Sequence, residues 1–281
     1  MGKFDGVLIV SDYDNTLIYS ERALTHGTEL PTVSRENTDA IRYFMEQGGT
    51  FCIATGRALP AFAPLASGVP MNGPTILFNG GAIYDFAKGE YLHTAFLPDQ
   101  VREHMAQLLE VLPGVAFEIY HDNNDMHAIN PNELTRNHLH LTHSPTVTLE
   151  SIFDAPLPIM KLLFEEYQPK LGQIADYIKS QPWGHEYEVF FASNYLLEVT
   201  AKGGNKGGMV HRLVEMLGMD PQHLYCIGDH ANDIPMLQAA RIPFAPANAI
   251  EAVHRVEGIR ILPDCREHTM AAMIAELDKL Y

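Results

Sequence analysis

The chain has 281 residues, of which 46% are hydrophobic and 19% are charged, ordinary values for a folded globular protein. Its length suits one large α/β unit, or a core that carries a second domain. The formal net charge of −16 disfavours nucleic acid and anionic membranes as partners, because both need a basic surface. A phosphate ligand would therefore need a divalent cation and one or two basic side chains beside it.

The cysteines are few, and Cys52, Cys226 and Cys265 form no Cys-x-x-Cys pair. We therefore predict neither a disulfide framework nor a structural zinc site. The amino terminus carries no long apolar stretch, so we expect a cytoplasmic protein without a membrane partner. We also expect a monomer or a weak homodimer.

The first part of the chain alternates apolar strands with polar tips and helices. Residues 6–11 form a β-branched apolar run, typical of a strand buried on both faces, that ends at Asp12. A helical period over 34–47 is followed by a second strand at 50–54, and a further apolar run covers 75–78. This alternation predicts parallel βαβ units, with the ligand crevice at the carboxyl ends of the strands. The polar tips there are Asp12-Tyr13-Asp14, Thr55-Gly56-Arg57 and Asn79-Gly80-Gly81.

The middle of the chain has a different pattern, in which short strands at 161–165 and 187–191 accompany a helix over 98–112. We interpret residues 85–199 as an inserted α/β domain, and residues 1–84 with 200–281 as a discontinuous Rossmann-like core built on a parallel sheet. The parallel pattern resumes after the insertion. It consists of a helix over 206–217, a strand over 224–227 and the polar tip Gly228-Asp229-His230-Ala231-Asn232-Asp233.

The polar tips carry the candidate chemistry. Asp12 and Asp14 are two residues apart, so that one carboxylate can attack phosphorus while the other exchanges protons with the leaving group and with water. Oxygen ligands such as Asp12, the carbonyl of Asp14 and Asp229 suit Mg²⁺. Lys206 could add positive charge, and Thr55 could donate a hydrogen bond to a phosphoryl oxygen.

Taken one at a time, these motifs are more often turns, helix caps or solvated side chains. Here they occur together and in order, each at the carboxyl end of a predicted strand or at the start of a helix. We therefore interpret them as one active site.

These residues resemble the haloacid dehalogenase-like phosphatase superfamily, and more closely its Cof-type branch, which has a large C2-type cap between the second and third motifs. The resemblance covers most of the chain. It rests on Asp12-Tyr13-Asp14-Asn15-Thr16-Leu17 as motif one, Ala54-Thr55-Gly56-Arg57 as motif two, Lys206-Gly207 as motif three, and Gly228-Asp229 through Asn232-Asp233 as motif four.

The resemblance implies a role for each matched residue. Asp12 would be the nucleophile and Asp14 the general acid and base, while Thr55 would bind the phosphoryl group and Lys206 would shield the nucleophile. The implied cofactor is Mg²⁺ and the implied partner a small phosphoester, with substrate choice set by the cap. The implied metal residues are Asp12, Asp14, Asp229 and Asp233, and the implied substrate-binding residues are Gly56, Arg57 and Asn232.

Two features of the motifs need comment. Asn15 stands where the family more often has Gly, but Asn tolerates the left-handed backbone, so the turn after Asp14 stays feasible. Lys202 is a rival for the lysine role, although Lys206 fits the start of a helix better. The late turn Ala247-Asn248-Ala249 also resembles a family feature.

The inserted domain is rich in histidine, which could indicate a second metal or recognition of a polyol. His138 and His140 alternate with leucines, as in a half-exposed strand, and no His-Glu-x-x-His motif is present. The histidines concerned are His121, His127, His138, His140 and His143.

The sequence thus predicts a Mg²⁺-dependent phosphatase that acts on a small phosphorylated metabolite, with a sugar phosphate favoured, through an aspartyl-phosphate on Asp12. One alternative is a phosphosugar mutase similar to the phosphomannomutases. Another is a phospho-ligand-binding protein without turnover.

Overall fold

The structure is a computed structural model that describes residues 2–26, 28–123, 125–142 and 146–281. The strands, in chain order, are β1 Leu8–Ser11, β2 Thr50–Ile53, β3 Thr75–Leu77, β4 Ala82–Asp85, β5 Glu90–Thr94, β6 Phe117–Tyr120, β7 Met126–Ile129, β8 Thr146–Leu149, β9 Lys161–Glu165, β10 Tyr187–Phe191, β11 Leu196–Ala201, β12 Leu224–Ile227, β13 Ile242–Pro246 and β14 Arg260–Leu262. The helices are α1 Glu21–His26, α2 Arg35–Glu46, α3 Leu59–Ala66, α4 Val101–Val111, α5 Glu133–Thr142, α6 Lys170–Ser180, α7 Lys206–Leu217, α8 Ile234–Ala239, α9 Glu251–His254 and α10 Thr269–Leu277.

The chain divides into two compact units. Met1–Ala58, Phe62–His93 and Lys206–Tyr281 form the first, which we call the core unit. Leu59–Ala61 and Thr94–Asn205 form the second, which we call the insert unit. The assignment of catalysis to residues 1–84 and 200–281, and of substrate choice to 85–199, stays a prediction.

The core unit is built on a parallel sheet with the strand order β14-β13-β12-β1-β2. In the register of this sheet, Ser11 of β1 pairs with Ile53 on one side and with Ile227 on the other. The carboxyl ends of the three strands therefore lie side by side, and the polar tips that follow them emerge at one edge. This parallel α/β core confirms the predicted fold class.

Two predicted helices of the core unit, α2 and α7, are confirmed. Helix α2 begins after Ser34, whose hydroxyl accepts a hydrogen bond from the Asn37 N–H at 3.3 Å. Helix α7 begins at Lys206 and packs on α8. A Cβ at Gly207 would lie 2.6 Å from the carbonyl carbon of Pro235, so glycine permits this close helix packing.

The run at residues 75–78 differs from the predicted pattern of strand, tip and helix. Strand β3 pairs antiparallel with β4 in a separate sheet of order β3-β4-β5, and Ala54 forms a parallel bridge with Ile76. The physical cause is the tip itself. Phe78, Asn79 and Gly80 all have positive φ, at 54°, 57° and 108°, so the chain reverses into a strand instead of starting a helix.

The insert unit contains a six-stranded sheet of order β10-β11-β9-β6-β7-β8. Its pairs are antiparallel except for β7 and β8, which run parallel. Helices α4 and α6 cover one face, where residues such as Met105, Phe164 and Ile174 form a buried apolar core. The strands predicted at 161–165 and 187–191 coincide with β9 and β10.

The stretch around His138 was predicted as a half-exposed strand, and this is wrong, because it lies in helix α5. Asn132 explains the helix: its Oδ1 accepts the Thr135 N–H at 3.0 Å, while its own N–H donates to Thr135 Oγ1 at 3.3 Å. Such a reciprocal cap starts a helix whatever the alternation that follows it. His143 lies outside the described residues.

The three cysteines are buried free thiols. Across residues 2–26, 28–123, 125–142 and 146–281, no helix is both long and apolar enough to cross a bilayer.

Candidate active site

The buried ammonium group of Lys206 bridges the carboxylates of Asp12 and Asp233 at the edge of the core sheet where its strands have their carboxyl ends. Asp12 follows β1 and is only 6% exposed. Its Oδ1 accepts a hydrogen bond from Lys206 Nζ at 2.6 Å, and the same ammonium donates to Asp233 Oδ1 at 2.6 Å. Because Lys206 is the first residue of α7, the helix start fixes where this charge stands.

The pKa values of three neighbouring groups at this edge are strongly shifted, namely those of Asp12, Lys206 and Asp229. Burial raises the pKa of Asp12 to about 7, against the attraction of Lys206 and with a further rise from the charge of Asp233. Burial acts to lower the pKa of Lys206, but its attraction to Asp12 and Asp233 outweighs burial, so the pKa is raised and the side chain stays cationic. Burial, followed by repulsion from Asp12 and Asp233, also raises the pKa of Asp229 well above its ordinary value. One ammonium therefore leaves these acids short of positive charge.

The same acids could hold a metal ion. Asp12, Asp229 and Asp233 each offer a carboxylate oxygen, and these oxygens lie within 4.8 Å of one another. Thr16 orients one of them, since its hydroxyl donates to Asp229 Oδ1 at 3.1 Å. A buried donor set made only of oxygen fits a hard divalent cation.

Asp233 differs from the other two acids because its oxygens are already occupied. Oδ2 accepts the backbone N–H groups of Asp229 and His230 at 2.9 and 3.0 Å, while Oδ1 accepts Lys206. A Cβ at Gly228 would lie 2.5 Å from the Asp233 Cβ, so only glycine permits this tight loop. Asp233 therefore holds the Asp229 loop and Lys206 in place, and Asp12 and Asp229 are the carboxylates better placed for a cation.

Asp14 is paired with Arg57 through a bidentate contact. Arg57 Nε donates to Asp14 Oδ2 at 2.8 Å, and Nη2 donates to Oδ1 at 2.7 Å. The guanidinium also lies 5.9 Å from the centre of the Tyr13 ring. Arg57 was predicted as a substrate-binding residue, and the structure places it on the proposed proton carrier. No sequence signal links the two residues, since 43 positions separate them.

The second predicted strand delivers Thr55 and Gly56 to the same edge. The Thr55 N–H donates to the Ile76 carbonyl at 2.8 Å, and Thr55 Oγ1 accepts the Arg57 N–H at 3.2 Å. A Cβ at Gly56 would lie 2.7 Å from Asn79 Nδ2, so a larger residue would displace the Asn79 side chain.

Asn79 was absent from the predicted site residues, yet it links two of the motifs. Its side chain is buried, and its Oδ1 accepts a hydrogen bond from Asn232 Nδ2 at 2.8 Å. Its N–H donates to the Thr55 carbonyl at 3.0 Å. The available signal was its position at the end of a strand, in the Asn79-Gly80-Gly81 tip.

Asn15 adopts the left-handed backbone that was predicted for the turn after Asp14, with a φ of 56°. Asn15 Oδ1 accepts the N–H groups of Ser20 and Glu21 at 3.1 and 3.0 Å, and the Asn15 carbonyl accepts Asn248 Nδ2 at 2.7 Å. The late Asn-Ala turn therefore supports the motif-one loop directly.

The predicted site residues lie together on the core unit. Lys202 stands apart, because its side chain is 69% exposed and pairs with Glu188 at 3.2 Å in the insert unit. The residues at or beside the cluster are Asp12, Asp14, Thr55, Gly56, Arg57, Lys206, Asp229, Asn232 and Asp233. Their chemical roles stay proposals.

A family model for haloacid dehalogenase-like hydrolases matches residues 9–257, and the chain belongs to this family. Within it the protein is a Cof-type phosphatase, as the sequence motifs indicated. It is 28% identical, over 86% of its length and 88% of the relative's, to the 5-amino-6-(5-phospho-D-ribitylamino)uracil phosphatase YwtE of Bacillus subtilis. A second phosphatase of that name in the same organism, YitU, is 25% identical over 89% of both chains.

Solved structures support the fold. A haloacid dehalogenase-like hydrolase from Bacteroides thetaiotaomicron superposes with a TM-score of 0.78 at 24% identity, covering 98% of this chain and 100% of the other. A sugar phosphatase of HAD subclass IIB superposes with a TM-score of 0.77 at 20% identity, covering 97% and 99%.

Proposed function

We propose that this phosphatase hydrolyses the phosphomonoester of a small sugar or polyol, with Mg²⁺, through an aspartyl-phosphate on Asp12. The observation that carries the proposal is the buried contact of Asp12 with Lys206, at the edge of the sheet where Asp229 also lies. Lys206 holds one oxygen of Asp12 and offsets negative charge where a phosphate dianion must approach.

In the first step, Asp12 attacks phosphorus through its second oxygen, Oδ2, because Oδ1 is held by Lys206. A bond forms between Oδ2 and phosphorus while the bond from phosphorus to the ester oxygen breaks. Asp14 gives its proton to the leaving oxygen, so the product is an alcohol and not an alkoxide. Thr55 and the Gly56 backbone bind the phosphoryl oxygens.

In the second step, Asp14, now a carboxylate, takes a proton from water. The water oxygen attacks phosphorus, the bond to Asp12 breaks, and inorganic phosphate leaves with Asp12 restored. Arg57 must release at least one oxygen of Asp14 for these transfers. A bound phosphoryl group supplies the competing anion, since guanidinium pairs with phosphate as well as with carboxylate.

The cation fits the residues that are present. Asp12, Asp229 and the backbone carbonyl of Asp14 would hold Mg²⁺, with Asp233 fixing the Asp229 loop by its two backbone contacts. When bound, Mg²⁺ supplies positive charge that stabilises the phosphoryl oxygens and lowers repulsion between the acids and the substrate.

The choice of substrate class is supported by the relatives. YwtE and YitU are named as phosphatases of a compound that carries its phosphate on a ribityl chain, and a similar solved structure is a sugar phosphatase. The shared chemistry is a phosphate on a hydroxylated carbon chain, and we propose this class for the present enzyme.

The test is Mg²⁺-dependent phosphate release from a panel of sugar and polyol phosphates that includes 5-amino-6-(5-phospho-D-ribitylamino)uracil. We expect Asp12→Asn to lower kcat by at least about 10³-fold, because the nucleophile is lost. The exposed Asp99 provides the matched control, and Asp99→Asn should keep full activity. Borohydride reduction during turnover should convert Asp12 to homoserine, which mass spectrometry detects.

Full activity of Asp12→Asn would refute the mechanism. Isomerised sugar phosphate without net phosphate release would indicate a mutase. Tight binding of phosphoesters without turnover of any of them would indicate a binding protein.

A further inference from the structure

The sheet of the insert unit has a second face that differs from the apolar face under α4 and α6. Side chains alternate along strands, so the residues between the apolar ones point to the opposite face. On β6, β9 and β11 these include four charged side chains, all at most 5% exposed. They are Glu118, Lys161, Glu165 and Glu198.

Part of this charge is paired within the sheet. Lys161 Nζ lies 3.3 Å from Glu198 Oε2 and 4.5 Å from the centre of the Tyr120 ring. The Tyr120 hydroxyl donates to Glu118 Oε2 at 2.6 Å. The four charged side chains still carry three acids against one base, and a buried carboxylate without a compensating charge is strongly destabilising.

Helix α5 adds one ligand-type group to this face. His138 Nδ1 lies 3.0 Å from Glu118 Oε1 and 3.4 Å from Glu165 Oε1. One atom from each of Glu118, His138 and Glu165 lies within 4.8 Å of the others, and we call these three residues the Glu118 cluster.

Glu165 is the member whose surroundings are incomplete. Its side chain is fully buried, and among the residues that the structure describes neither carboxylate oxygen has a hydrogen-bond donor. The His138 ring that faces Glu165 carries a positive charge only when it is protonated. With a neutral His138, a bound cation or a proton would have to balance this buried carboxylate.

The spacing of the cluster suits a metal ion. Two ligands that each bind at about 2.1 Å, at angles of about 90–110°, stand about 3.0–3.4 Å apart. The distances from His138 Nδ1 to the two carboxylates, 3.0 and 3.4 Å, span this range. The shorter distance is a hydrogen bond between His138 and Glu118 in the metal-free protein, so a metal ion would replace the proton on Nδ1. Strands β6 and β9 pair directly, so the two glutamates are held on a rigid frame, and α5 brings the histidine to them.

We propose that Glu118, His138 and Glu165 form a divalent-cation site in the insert unit. The proposed ion is Zn²⁺ or a similar cation that binds imidazole and carboxylate ligands together. Imidazole and carboxylate together favour Zn²⁺ over Mg²⁺, which prefers oxygen and retains its water. Three protein ligands leave a fourth position for water or a substrate hydroxyl. His138, with a side chain 25% exposed, marks the side from which the ion enters.

The proposed site shares no residue with the candidate active site, because all three ligands belong to the insert unit and Asp12 and Asp229 belong to the core unit. It therefore does not depend on the proposed reaction. The competing occupant is a proton shared by the two glutamates, which would satisfy the same buried acids without a metal.

The test uses the full chain after removal of metal, with Asp229→Asn as background so that the core site is impaired, and with excess Mg²⁺. Calorimetric titration with Zn²⁺ should show one tight site per chain. Glu165→Gln and His138→Asn should each weaken it by at least about 10-fold, because each removes a direct ligand. Glu133→Gln and His185→Asn change exposed residues of the same unit and should leave it unchanged.

Absence of Zn²⁺ binding by Asp229→Asn would overturn the proposal in favour of the shared proton. So would Zn²⁺ binding that is as tight after the added Glu165→Gln or His138→Asn change as it is before it. A second measurement covers the case in which the variants fail to fold. X-ray absorption spectroscopy at the zinc edge provides this measurement, on Asp229→Asn protein that has been loaded with less than one equivalent of Zn²⁺. The spectrum should show one imidazole ligand and otherwise oxygen ligands. A first shell without imidazole would equally overturn the proposal.

Discussion

Lys206 is the residue on which the charge balance of the candidate site depends most. Its ammonium is buried and lies 2.6 Å from both Asp12 and Asp233. Desolvation makes such an arrangement costly to build, and its removal leaves two buried carboxylates facing each other without a cation. The lysine therefore contributes to folding as well as to the proposed chemistry.

Replacing this lysine tests both contributions. In the absence of divalent cations, Lys206→Met should lower the free energy of unfolding by about 3–5 kcal/mol, because the buried acids lose their partner. Activity with Mg²⁺ should fall by at least about 10²-fold. Urea denaturation and phosphate release measure the two effects.

Lys202→Met is the matched control. Lys202 pairs with Glu188 at an exposed position, so its replacement should change stability by less than about 0.5 kcal/mol. Equal stability of Lys206→Met and the wild type would show that the buried pair contributes nothing net.

Asp12 makes stability depend on pH and on metal. Its pKa is raised in the folded protein from the ordinary 3.8 to about 7, chiefly by burial. Between these values the folded state binds more protons than the unfolded state. Stability of the metal-free protein should therefore fall as pH rises from about 4 to about 7, by up to ~1.4 kcal/mol per pH unit for one proton.

Urea denaturation across this range, with EDTA or with Mg²⁺, tests the sign. The contribution of Asp12 is the difference between the wild type and Asp12→Asn, which lacks the titrating group. This difference should shrink when Mg²⁺ is present, since the cation favours the ionised acid. A difference that stays flat with pH, or that rises with it, would contradict the prediction.

At the scale of elements, helix starts and strand ends place the functional side chains. Lys206 is held at the site because α7 packs closely on α8, and Gly207 makes this packing possible. A Cβ there would lie 2.6 Å from both the carbonyl carbon and the carbonyl oxygen of Pro235. Backbone atoms cannot move aside as a side chain can, so a larger residue must displace a helix.

Gly207→Ala should therefore destabilise the protein by about 1–3 kcal/mol, despite the better helix propensity of alanine. It should also lower kcat, because the shift of α7 moves Lys206 away from Asp12. Thermal unfolding and steady-state kinetics provide the measurements.

The control is Gly172→Ala in α6, where the nearest atom to a new Cβ is the flexible Gln168 Oε1 at 3.3 Å. This change should be neutral or stabilise by up to ~1 kcal/mol. Loss of stability in both variants alike would indicate a general effect of alanine and not a clash at Pro235.

Some of these elements were predictable, and the reason is local. The run that ends at Asp12 and the helix that starts at Lys206 follow from apolar periodicity and from helix-start signals. The contact of Asp14 with Arg57 does not, because the geometry of two loops determines it. Helix α5 was missed for another reason: the Asn132 cap overrides an alternation that resembles a strand.

At the scale of the whole molecule, one topological rule accounts for the success of the sequence prediction. Neighbouring parallel strands end at one edge, so residues 12, 55 and 229 converge although more than 200 positions separate the first from the last. The order of the insert-unit strands, β10-β11-β9-β6-β7-β8, was beyond such reasoning, because antiparallel pairing depends on contacts that no local pattern encodes. The Glu118 cluster was not predicted for the same reason, because its residues come together through the pairing of β6 with β9.

The net charge of −16 has its own consequence for an enzyme whose proposed substrate is an anion. The positive charge at the site is local and comes from Lys206, Arg57 and the proposed cation, while the overall field repels a phosphate dianion. Salt screens the distant charges more than the buried contacts, because the Debye length falls from about 30 Å at 0.01 M to about 8 Å at 0.15 M. KM for a sugar monophosphate should therefore decrease as salt rises over this range at constant free Mg²⁺.

A sugar bisphosphate, with twice the charge, should show about twice the slope in the logarithm of KM against ionic strength, because repulsion scales with the charge of the substrate. Sucrose at matched osmolality serves as the control and should leave KM unchanged. If KM instead increases with salt, attraction by the local cations extends beyond the site and dominates the approach of the substrate. The acidic surface would then have no measurable part in binding.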